Sequence, residues 1–413
     1  MLFPKKSFPI SPPRVVITGA GIVTSLGLGW KQNAAAFRAG KTGFRPVTLF
    51  DVSRQRVKTA AEVDLPVTLP PTQLTERQKK RLDRASIMLL LAAQEAWQQS
   101  GWMPSDNLPV VLGTTAGGMT LGEDYFRQAV SQPHRKKMQP TRALHYQSQT
   151  QARMVAEAIG FAGPVTIISN ACASGTNAIG EAWELIRRGH SERVLTGGYD
   201  ALSQMVFAGF DSLQALSPTS CRPFDAHRDG LAIGEGAAVF TIETLEFARN
   251  RGAVILGEII GYGASMDRHH LTQPHPEGDA AYQAMHLACT SAQVTAEDID
   301  YVNAHGTGTP LNDQAEAKAI NRWAGNHAGD LRVSSTKAGT GHLLGGAGAV
   351  EAVVSLMCLH EQWLPPEIAF ETPAPACSFR IVARPEDADI EVVLSNSFGF
   401  GGVNATLIMR RWS

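Results

Sequence analysis

At residues 164–189 the chain reads PVTIISNACASGTNAIGEAWELIRRG. The first seven residues are largely apolar and β-branched, which indicates a buried strand, and the spacing of the apolar residues in GTNAIGEAWELIRRG predicts a helix directly after it. Cys172 lies in the turn of small residues between them. A strand that leads straight into a helix is typical of an α/β fold with largely parallel, buried strands.

The alternation of strands and helices extends in both directions from this unit. The runs RVVITG (14–19) and PVVLGTTAGG (109–118) are typical of strands, and a second series of strands and helices begins near Gly252. We therefore expect an α/β fold with two halves of similar make-up, residues 1–252 and 253–413, which suggests a duplicated unit. A helix with a basic first half is predicted at 75–101.

Composition and charge argue against several classes of protein. The 413 residues carry a net charge of −1, so we expect no nucleic-acid partner, and an acidic partner must meet a local basic patch. The first 13 residues lack the apolar run of a signal peptide, and no apolar stretch approaches the roughly 20 residues that span a bilayer. The sequence predicts a cytoplasmic protein without membrane contact.

The cysteines are five in number, and none lies in a CxxC pair or in a Cys/His cluster with metal spacing. This pattern predicts reduced thiols and no metal site. Cys172 stands apart because a helix begins just after it, and the free N–H groups and dipole of a helix N-terminus lower the pKa of a thiol. We expect a nucleophile there; the alternative is a buried structural cysteine.

Another candidate segment is YVNAHGTGTPLND (301–313), in which a strand ends at His305 and a Gly/Thr loop follows. Loops held by a rigid sheet often carry function, and the hydroxyls of Thr307 and Thr309 suit a polar ligand. The alternative for His305 is a histidine at the core edge that bonds a carbonyl.

A loop of small residues in VSSTKAGTGHLLGGAGAVEAVV (333–354) contains Lys337 and His342. A buried lysine needs an acidic partner, for which Glu351 and Asp313 are the candidates. The alternative for Lys337 is a purely structural ion pair.

The run LSNSFGFGGVNATLI (394–408) places Phe400 among glycines after a strand. Glycines let backbone N–H groups point at a ligand, as an oxyanion hole requires. The alternative is a glycine turn that packs phenylalanine into the core. Nearly all of these candidate residues follow strands, and α/β sheets gather their sites at strand ends.

These motifs closely resemble those of β-ketoacyl-acyl-carrier-protein synthases of the KAS I/II type. The resemblance rests on NACASGTNAIG (170–180), NAHGTGTPLND (303–313), TKAGTGHLLGGAGAVEA (336–352), NSFGFGGVNA (396–405) and CRPFDAHRDGLAIGEGAAVF (221–240), and it extends from about residue 14 to 411. It implies the thiolase fold, in which two related halves share five αβαβα layers, and a dimer.

The resemblance also implies catalytic roles. Cys172 resembles the acyl-accepting nucleophile, and His305 and His342 resemble the two histidines that serve malonyl decarboxylation. The backbone N–H groups of Cys172 and Phe400 resemble the oxyanion hole, and Phe400 also resembles a gating aromatic residue. Lys337 resembles the lysine of the family motif.

Charge partners and substrate contacts are implied in the same way. Glu351 and Asp313 are the expected charge partners of the motif lysine, and Thr307 and Thr309 resemble contacts to a phosphopantetheine arm. No cofactor is implied beyond this arm, on which an acyl carrier protein presents the substrates.

The implied reaction is a decarboxylative Claisen condensation. The thiolate of Cys172 takes an acyl group from a thioester, a malonyl thioester loses CO2, and the resulting carbanion attacks the acyl group to give a 3-oxoacyl-carrier product. His342 favours this branch, because relatives of the KAS III type carry Asn there and thiolases use a second cysteine.

The carrier protein is acidic in this family, so basic clusters are candidates to receive it. One consists of Arg77, Lys79, Lys80 and Arg81; the other, which the resemblance favours, consists of Arg135, Lys136 and Lys137. The alternative for each is a solvated surface.

The chain departs from its relatives at several positions, and in the family the segments 119–150 and 203–220 line the acyl channel and dimer interface. Ala116 stands where a larger residue is common, Gly308 replaces a usual Ser, and the segments 119–150 and 203–220 differ from housekeeping synthases. We expect Ala116 and Phe210 to line the acyl pocket. The hypothesis that follows is a specialised synthase for polyenes or polyketides.

Other functions fit less well. A dehydrogenase would need a third glycine where GAGIVT (19–24) has Thr24. A non-catalytic partner subunit of the chain-length-factor type would lack the nucleophile, and His342 argues against a CoA-using, thiolase-like enzyme. A homodimer is expected, although a heterodimer with a homologous subunit stays open.

Overall fold

The computed structural model describes residues 12–132 and 146–413, which form sixteen strands and twelve helices. The strands are β1 (Val15–Thr24), β2 (Gly27–Leu28), β3 (Phe44–Pro46), β4 (Thr59–Ala61), β5 (Val110–Gly113), β6 (Val165–Ile168), β7 (Arg193–Asp200), β8 (Gly236–Thr244), β9 (Gly257–Met266), β10 (Tyr301–Asn303), β11 (Arg332–Ser334), β12 (Trp363–Leu364), β13 (Arg380–Ile381), β14 (Glu386–Asp387), β15 (Val392–Phe398) and β16 (Val403–Arg410). The helices are α1 (Trp30–Arg38), α2 (Glu76–Lys79), α3 (Arg84–Ser100), α4 (Met119–Ser131), α5 (Gln149–Ile159), α6 (Ser174–Arg187), α7 (Gln204–Ser212), α8 (Leu245–Asn250), α9 (Asp279–Ala292), α10 (Pro310–Ala324), α11 (Lys337–Thr340) and α12 (Ala347–Glu361).

The main strands repeat one arrangement twice. In the first half the order is β6-β5-β7-β8-β1, with parallel pairs around β5 and antiparallel pairs around β8. In the second half the order β11-β10-β15-β16-β9 has the same succession of parallel and antiparallel pairs. Three antiparallel residue pairs between β1 and β9 join the halves. The duplication suggested by the sequence is therefore present in the topology.

Helices separate and cover the two sheets in five layers. Helices α3 and α5 pack together on the first sheet, α9 and α10 pack together on the second, and α6 and α12 contact each other between the sheets. These layers confirm the thiolase-type architecture. The domain boundary at residue 252 stays a prediction; it falls between the end of α8 and the start of β9.

The apolar sequence of the central helix α12 matches its position inside the protein core. In the described part of the chain, one stretch, Leu344–Glu361, has the length and hydropathy of a membrane span, which our sequence analysis did not expect. This stretch is 89% buried within the protein, and residues such as Val353 and Leu356 belong to the main hydrophobic core. Its hydropathy is therefore that of a core helix.

The helix predicted at 75–101 is wrong in one respect, because the structure divides it into α2 and α3. Asp83 interrupts it with an extended backbone and caps α3, accepting the backbone N–H of Ser86 at 2.7 Å. The same carboxylate accepts a bond from Gln151 of α5 at 2.8 Å. This tertiary contact favours the cap over a continuous helix.

Candidate functional site

The turn that carries Cys172 is sharp and held from both sides. Ala171 has a φ of 58°, which is uncommon for a residue other than glycine and marks a constrained backbone. The hydroxyl of Ser174 donates to the carbonyl of Ala171 at 2.6 Å and accepts the N–H of Asn170 at 2.9 Å. Cys172 thereby stands just before α6, in the middle layer of the fold, and is 7% exposed.

The thiol of Cys172 has a raised pKa, which corrects the lowered value expected from the helix N-terminus. Burial raises the pKa of Cys172 to about 11, while the charge of Lys337 and the backbone N–H of Phe400 act in the opposite direction. Desolvation prevails because the side chain is buried in the fold's middle layer, with only 7% of the residue exposed. The residue is therefore a neutral thiol near pH 7 and must lose its proton before it attacks a thioester.

The glycine turn after β15 brings Phe400 to the nucleophile. A β-carbon at Gly399 would lie only 3.2 Å from the backbone nitrogen of Cys172, so the absence of a side chain permits this approach. The backbone N–H of Phe400 lies close enough to the sulfur of Cys172 to act against the rise in the pKa of the thiol. Gly401 donates its N–H to the carbonyl of Leu271 at 2.7 Å and so fixes the turn. The N–H of Phe400 thus lies beside the thiol, and the oxyanion hole that it would form with the N–H of Cys172 stays a prediction.

The two histidines face each other at the same site. The ring centroids of His305 and His342 are 5.3 Å apart with planes at 83°, and both residues are buried. Nδ1 of His305 lies 3.3 Å from Nζ of Lys337, and Nδ1 of His342 accepts the N–H of Leu344 at 3.2 Å. Because an ammonium and an amide N–H only donate, each Nδ1 accepts, and each neutral ring carries its proton on Nε2.

Charge and burial keep both rings neutral. Burial lowers the pKa of His305 and that of His342 well below the usual range, and the positive charge of Lys337 lowers both further. Each ring can therefore donate one hydrogen bond from Nε2 to a ligand between them.

Lys337 begins α11 and is only 1% exposed. Its Nζ donates to the carbonyl of His305 at 2.6 Å and forms a short ion pair with Glu351 of α12. Burial raises the pKa of Glu351, and the charge of Lys337 opposes that shift. The structure thus pairs the lysine with one of its two expected partners.

The other expected partner, Asp313, was wrongly assigned. Its carboxylate accepts backbone N–H groups, among them that of Phe224 at 2.8 Å and that of Thr307 at 3.0 Å. Its ion-pair partner in the described chain is Arg228, at 3.8 Å. The side chain therefore supports the loop that follows His305 and does not neutralise the buried lysine.

Glu316 is a residue of this site that the sequence analysis missed. Its two carboxylate oxygens accept the backbone N–H groups of His305 and Gly306, both at 2.8 Å. Burial raises the pKa of Glu316 to about 7. A signal was present, because Glu316 lies three residues after Asp313 on α10 and such residues share a helix face.

The thiol and the two imidazoles share one cavity of about 400 Å³, which is lined by Cys172, His305 and His342. The other lining residues are mostly apolar or neutral and include Phe210, Leu213, Leu231, Leu271, Thr307, Thr309, Leu311, Phe398 and Phe400. The rings of Phe210 and Phe400 stack with centroids 5.8 Å apart, and Phe400 is 39% exposed. The hydroxyls of Thr307 and Thr309 lie 2.8 Å apart.

Ala116, the second expected acyl-pocket residue, does not line this cavity. It is buried, and its N–H donates to Asp200 at 2.7 Å. Its place in an acyl pocket stays a prediction. Gly308 has a φ of 77°, and a β-carbon there would lie 2.7 Å from the carbonyl oxygen of Gly230. The backbone of this loop is therefore suited to glycine at position 308.

The basic clusters are only partly described. Arg77, Lys80 and Arg81 are exposed, Lys79 pairs with Glu76 at 2.8 Å, and none of these four basic residues lines the cavity. The second cluster, Arg135, Lys136 and Lys137, lies outside the described residues. The role of both clusters stays a prediction.

Known proteins match this chain along nearly its whole length. The model of the β-ketoacyl synthase N-terminal domain matches residues 13–248, and that of the β-ketoacyl synthase C-terminal domain matches residues 256–371. A 3-oxoacyl-[acyl-carrier-protein] synthase 2 from Synechocystis sp. is 37% identical over 412 residues, which cover 97% of this chain and 98% of that protein.

Solved structures show the same relationship. One described as the ishigamide ketosynthase/chain length factor has a TM-score of 0.91 and 33% identity, and covers 97% of this chain and 100% of its own. Another, a type II PKS acyl-carrier protein in complex with its ketosynthase bound to the hexaketide, has a TM-score of 0.88 and 27% identity with the same coverage.

Proposed function

The chain belongs to the β-ketoacyl synthase family, a family of condensing acyltransferases, and from this premise we propose that it joins an acyl group held on Cys172 to a malonyl group carried by an acyl carrier protein. One observation carries the proposal: a thiol beside the backbone N–H of Phe400 lines the same cavity as two neutral imidazoles that can donate from Nε2.

In the first stage, Cys172 attacks the carbonyl carbon of an acyl thioester. The negative charge that forms on the carbonyl oxygen is held by the N–H groups of Cys172 and Phe400, and loss of one such donor costs about 3–4 kcal/mol of transition-state stabilisation. The carrier thiol leaves with the proton that the attacking thiol lost, and the acyl group remains on Cys172 as a thioester.

In the second stage, a malonyl thioester occupies the same cavity and loses CO2. The electron pair of the broken C–C bond becomes an enolate whose charge rests on the thioester oxygen. Nε2–H of His305 and Nε2–H of His342 donate to that oxygen, which requires both rings to be neutral beforehand. The enolate carbon then attacks the acyl group, and the C–S bond to Cys172 breaks. Cys172 leaves as a thiolate, which takes up a proton from water to regenerate the thiol.

Lys337 acts on this stage through His305. Its Nζ donates toward Nδ1 and thereby keeps the ring proton on Nε2, where the reaction needs it. Glu351 balances the buried charge. We therefore assign Lys337 as a positioning residue for decarboxylation.

The substrates arrive on the phosphopantetheine arm of an acyl carrier protein, and we propose no further cofactor. Thr307 and Thr309 line the cavity and offer hydroxyls to the amides of such an arm. The basic cluster around Arg77 and the cluster at 135–137 are candidate contacts for the acidic carrier. The similar structure of a carrier protein with its ketosynthase supports this partner.

We also propose a cytoplasmic homodimer. Strand β6 is at the end of the first sheet, and Val165 on it is 39% exposed, so its edge is open to another chain. The relative described with a chain length factor makes a heterodimer the competing arrangement. Molar mass in solution, before and after co-expression with a homologous subunit, distinguishes the two.

For the acyl group we propose a polyene or polyketide chain. The similar ketosynthase of a type II PKS, which is bound to a hexaketide, supports this class of acyl group, as do the differences of segments 119–150 and 203–220 from housekeeping synthases. A preference for long saturated acyl groups in a substrate panel would contradict this part of the proposal.

The deciding experiment is intact-mass analysis after incubation with acyl-loaded carrier proteins of varied length and unsaturation. A mass gain in the unaltered protein and none in Cys172→Ala supports the nucleophile, and subsequent addition of malonyl carrier must yield a 3-oxoacyl product. Parallel incubation with acyl-CoA tests the CoA-using alternative. No adduct from any donor, even with a homologous partner subunit present, would favour a non-catalytic role.

A further inference from the structure

Asp200 is a fully buried carboxylate that the reaction described above does not use. It ends β7 and accepts hydrogen bonds from the hydroxyl of Thr114 at 2.7 Å, and from the backbone N–H groups of Thr115 at 2.9 Å and Ala116 at 2.7 Å. It also accepts the N–H of Gly345 at 2.7 Å. All of these partners donate, so the carboxylate acts only as an acceptor, and it joins two segments that are far apart in the sequence.

The first segment leads to the nucleophile. Thr115, whose N–H bonds Asp200, donates its hydroxyl to the carbonyl of Ala171 at 3.1 Å. Ala171 is the residue with the left-handed backbone next to Cys172. Asp200 is thus two hydrogen bonds away from the constrained turn that presents the thiol.

The second segment leads to a histidine. Gly345 and Leu344 belong to one short 3-10 turn, in which Gly345 bonds Asp200 and Leu344 bonds Nδ1 of His342. A β-carbon on Gly345 would lie 2.5 Å from the backbone nitrogen of Thr115. The segment of Thr115 and the segment of Gly345 are therefore in direct contact where both bond Asp200. This packing allows one side chain to hold both.

From this geometry we infer that Asp200 is a positioning residue: it fixes the position of the Cys172 turn relative to the His342 ring. One carboxylate would then serve both stages of the reaction. The inference rests on the proposed function. Misplacement of reacting groups by about 1 Å costs on the order of 100-fold in rate, so a carboxylate that fixes both groups has a large effect without touching substrate.

The test uses the full-length protein and measures the two stages separately. Acylation is followed as mass gain on Cys172 in a single turnover, and decarboxylation as CO2 released from malonyl carrier protein without an acyl donor. In Asp200→Asn, the amide cannot accept all the backbone donors, and we expect both rates to fall by about tenfold or more and condensation by about 100-fold.

A second variant separates the two segments and leaves the buried carboxylate intact. Thr115→Val removes the hydroxyl that bonds Ala171 but keeps the N–H that bonds Asp200. We expect acylation of Cys172 to slow by about tenfold while CO2 release stays within about twofold of the unaltered protein. Equal effects on both stages, or no effect on acylation, would overturn the inference even if Asp200→Asn failed to fold.

The matched control is Asp225→Asn. Asp225 is equally buried and accepts the N–H groups of His227, Glu371 and Thr372 at 2.7–2.8 Å, but it lies outside the two segments described above. Equal losses of both rates in Asp225→Asn and Asp200→Asn would reduce the role of Asp200 to general stability and overturn the inference. If the unaltered protein forms no acyl adduct, the proposed function fails instead, and the two failures are distinguishable.

Discussion

The Nζ atom of Lys337 lies 3.3 Å from Nδ1 of His305 and 2.6 Å from the carbonyl oxygen of the same residue. A buried cation therefore contacts both the ring and the backbone of one histidine, and it lowers the pKa of that ring. This contact leaves the proton of His305 on Nε2. In the proposed reaction the buried Lys337–Glu351 pair therefore positions His305 in addition to stabilising the core.

Lys337→Met should strongly destabilise the fold. The substitution leaves Glu351 buried without its cation, and removal of one partner of a buried ion pair costs about 3–5 kcal/mol. Because the double variant Lys337→Met with Glu351→Gln removes both charges, it should recover part of this loss. Urea unfolding of the two single variants and the double variant measures the coupling.

Lys79→Met is the control for that series, because Lys79 forms a surface pair with Glu76 and surface pairs contribute little to stability. Equal stability changes for Lys79→Met and Lys337→Met would contradict the importance of the buried pair. So would a double variant as unstable as the sum of the single variants.

His342→Ala should separate the two stages of the reaction. The substitution removes one Nε2–H donor from the enolate oxygen, so CO2 release should fall by about 100- to 1,000-fold. Acylation of Cys172 should change far less, because the oxyanion hole proposed for that stage consists of backbone N–H groups. His360→Ala, at an exposed position, serves as the control. A variant that releases CO2 at the normal rate but fails to acylate would reverse the assignment.

The reactivity of Cys172 should rise steadily with pH. With a pKa of about 11, the thiolate fraction grows about tenfold for each pH unit over the neutral and mildly alkaline range. The rate of carbamidomethylation by iodoacetamide, read by mass with Cys172→Ala as the blank, should therefore show no plateau below about pH 10. A plateau near neutral pH would mean that the helix N-terminus outweighs burial.

The motif residues of the site could be predicted because each lies in a short stretch with strong local character. Cys172 and His305 each lie in a turn shortly after a strand, β6 and β10, and His342 lies in the glycine-rich loop that follows β11 and the short helix α11. Sequence alone therefore indicated that the sheet positions these residues. The duplication was also foreseeable from the two series of strands, although the sequence shows no clear repeat. Local sequence patterns were thus sufficient to predict the fold class and the candidate nucleophile.

What the sequence could not provide were effects that depend on three-dimensional partners. Asp313 was wrongly paired with Lys337 because charge alone does not say which carboxylate a buried cation meets. The pKa of Cys172 was expected to fall because the helix start is visible in the sequence, whereas the enclosure that raises the pKa arises only on folding. The break at Asp83 likewise depends on its distant partner Gln151.

The neutral histidines should make stability depend on pH on the acid side. The folded protein holds His305 and His342 with pKa values well below the usual range, whereas an unfolded chain protonates its histidines near pH 6.5. When the pH falls below that value, the unfolded state takes up protons that the folded state does not. The stability that these rings contribute is therefore present above about pH 6.5 and is lost as the pH falls, by about 1.4 kcal/mol per pH unit for each ring.

His342→Asn isolates this contribution, because asparagine does not titrate and the buried carboxylates with raised pKa values affect both proteins alike. Urea unfolding between about pH 8 and pH 5 should give the variant a slope on the acid side that is smaller than that of the unaltered protein by about 1.4 kcal/mol per pH unit. Parallel stability curves would mean that His342 titrates alike in the folded and unfolded states, which would contradict a ring that is neutral and held as a donor before substrate binds.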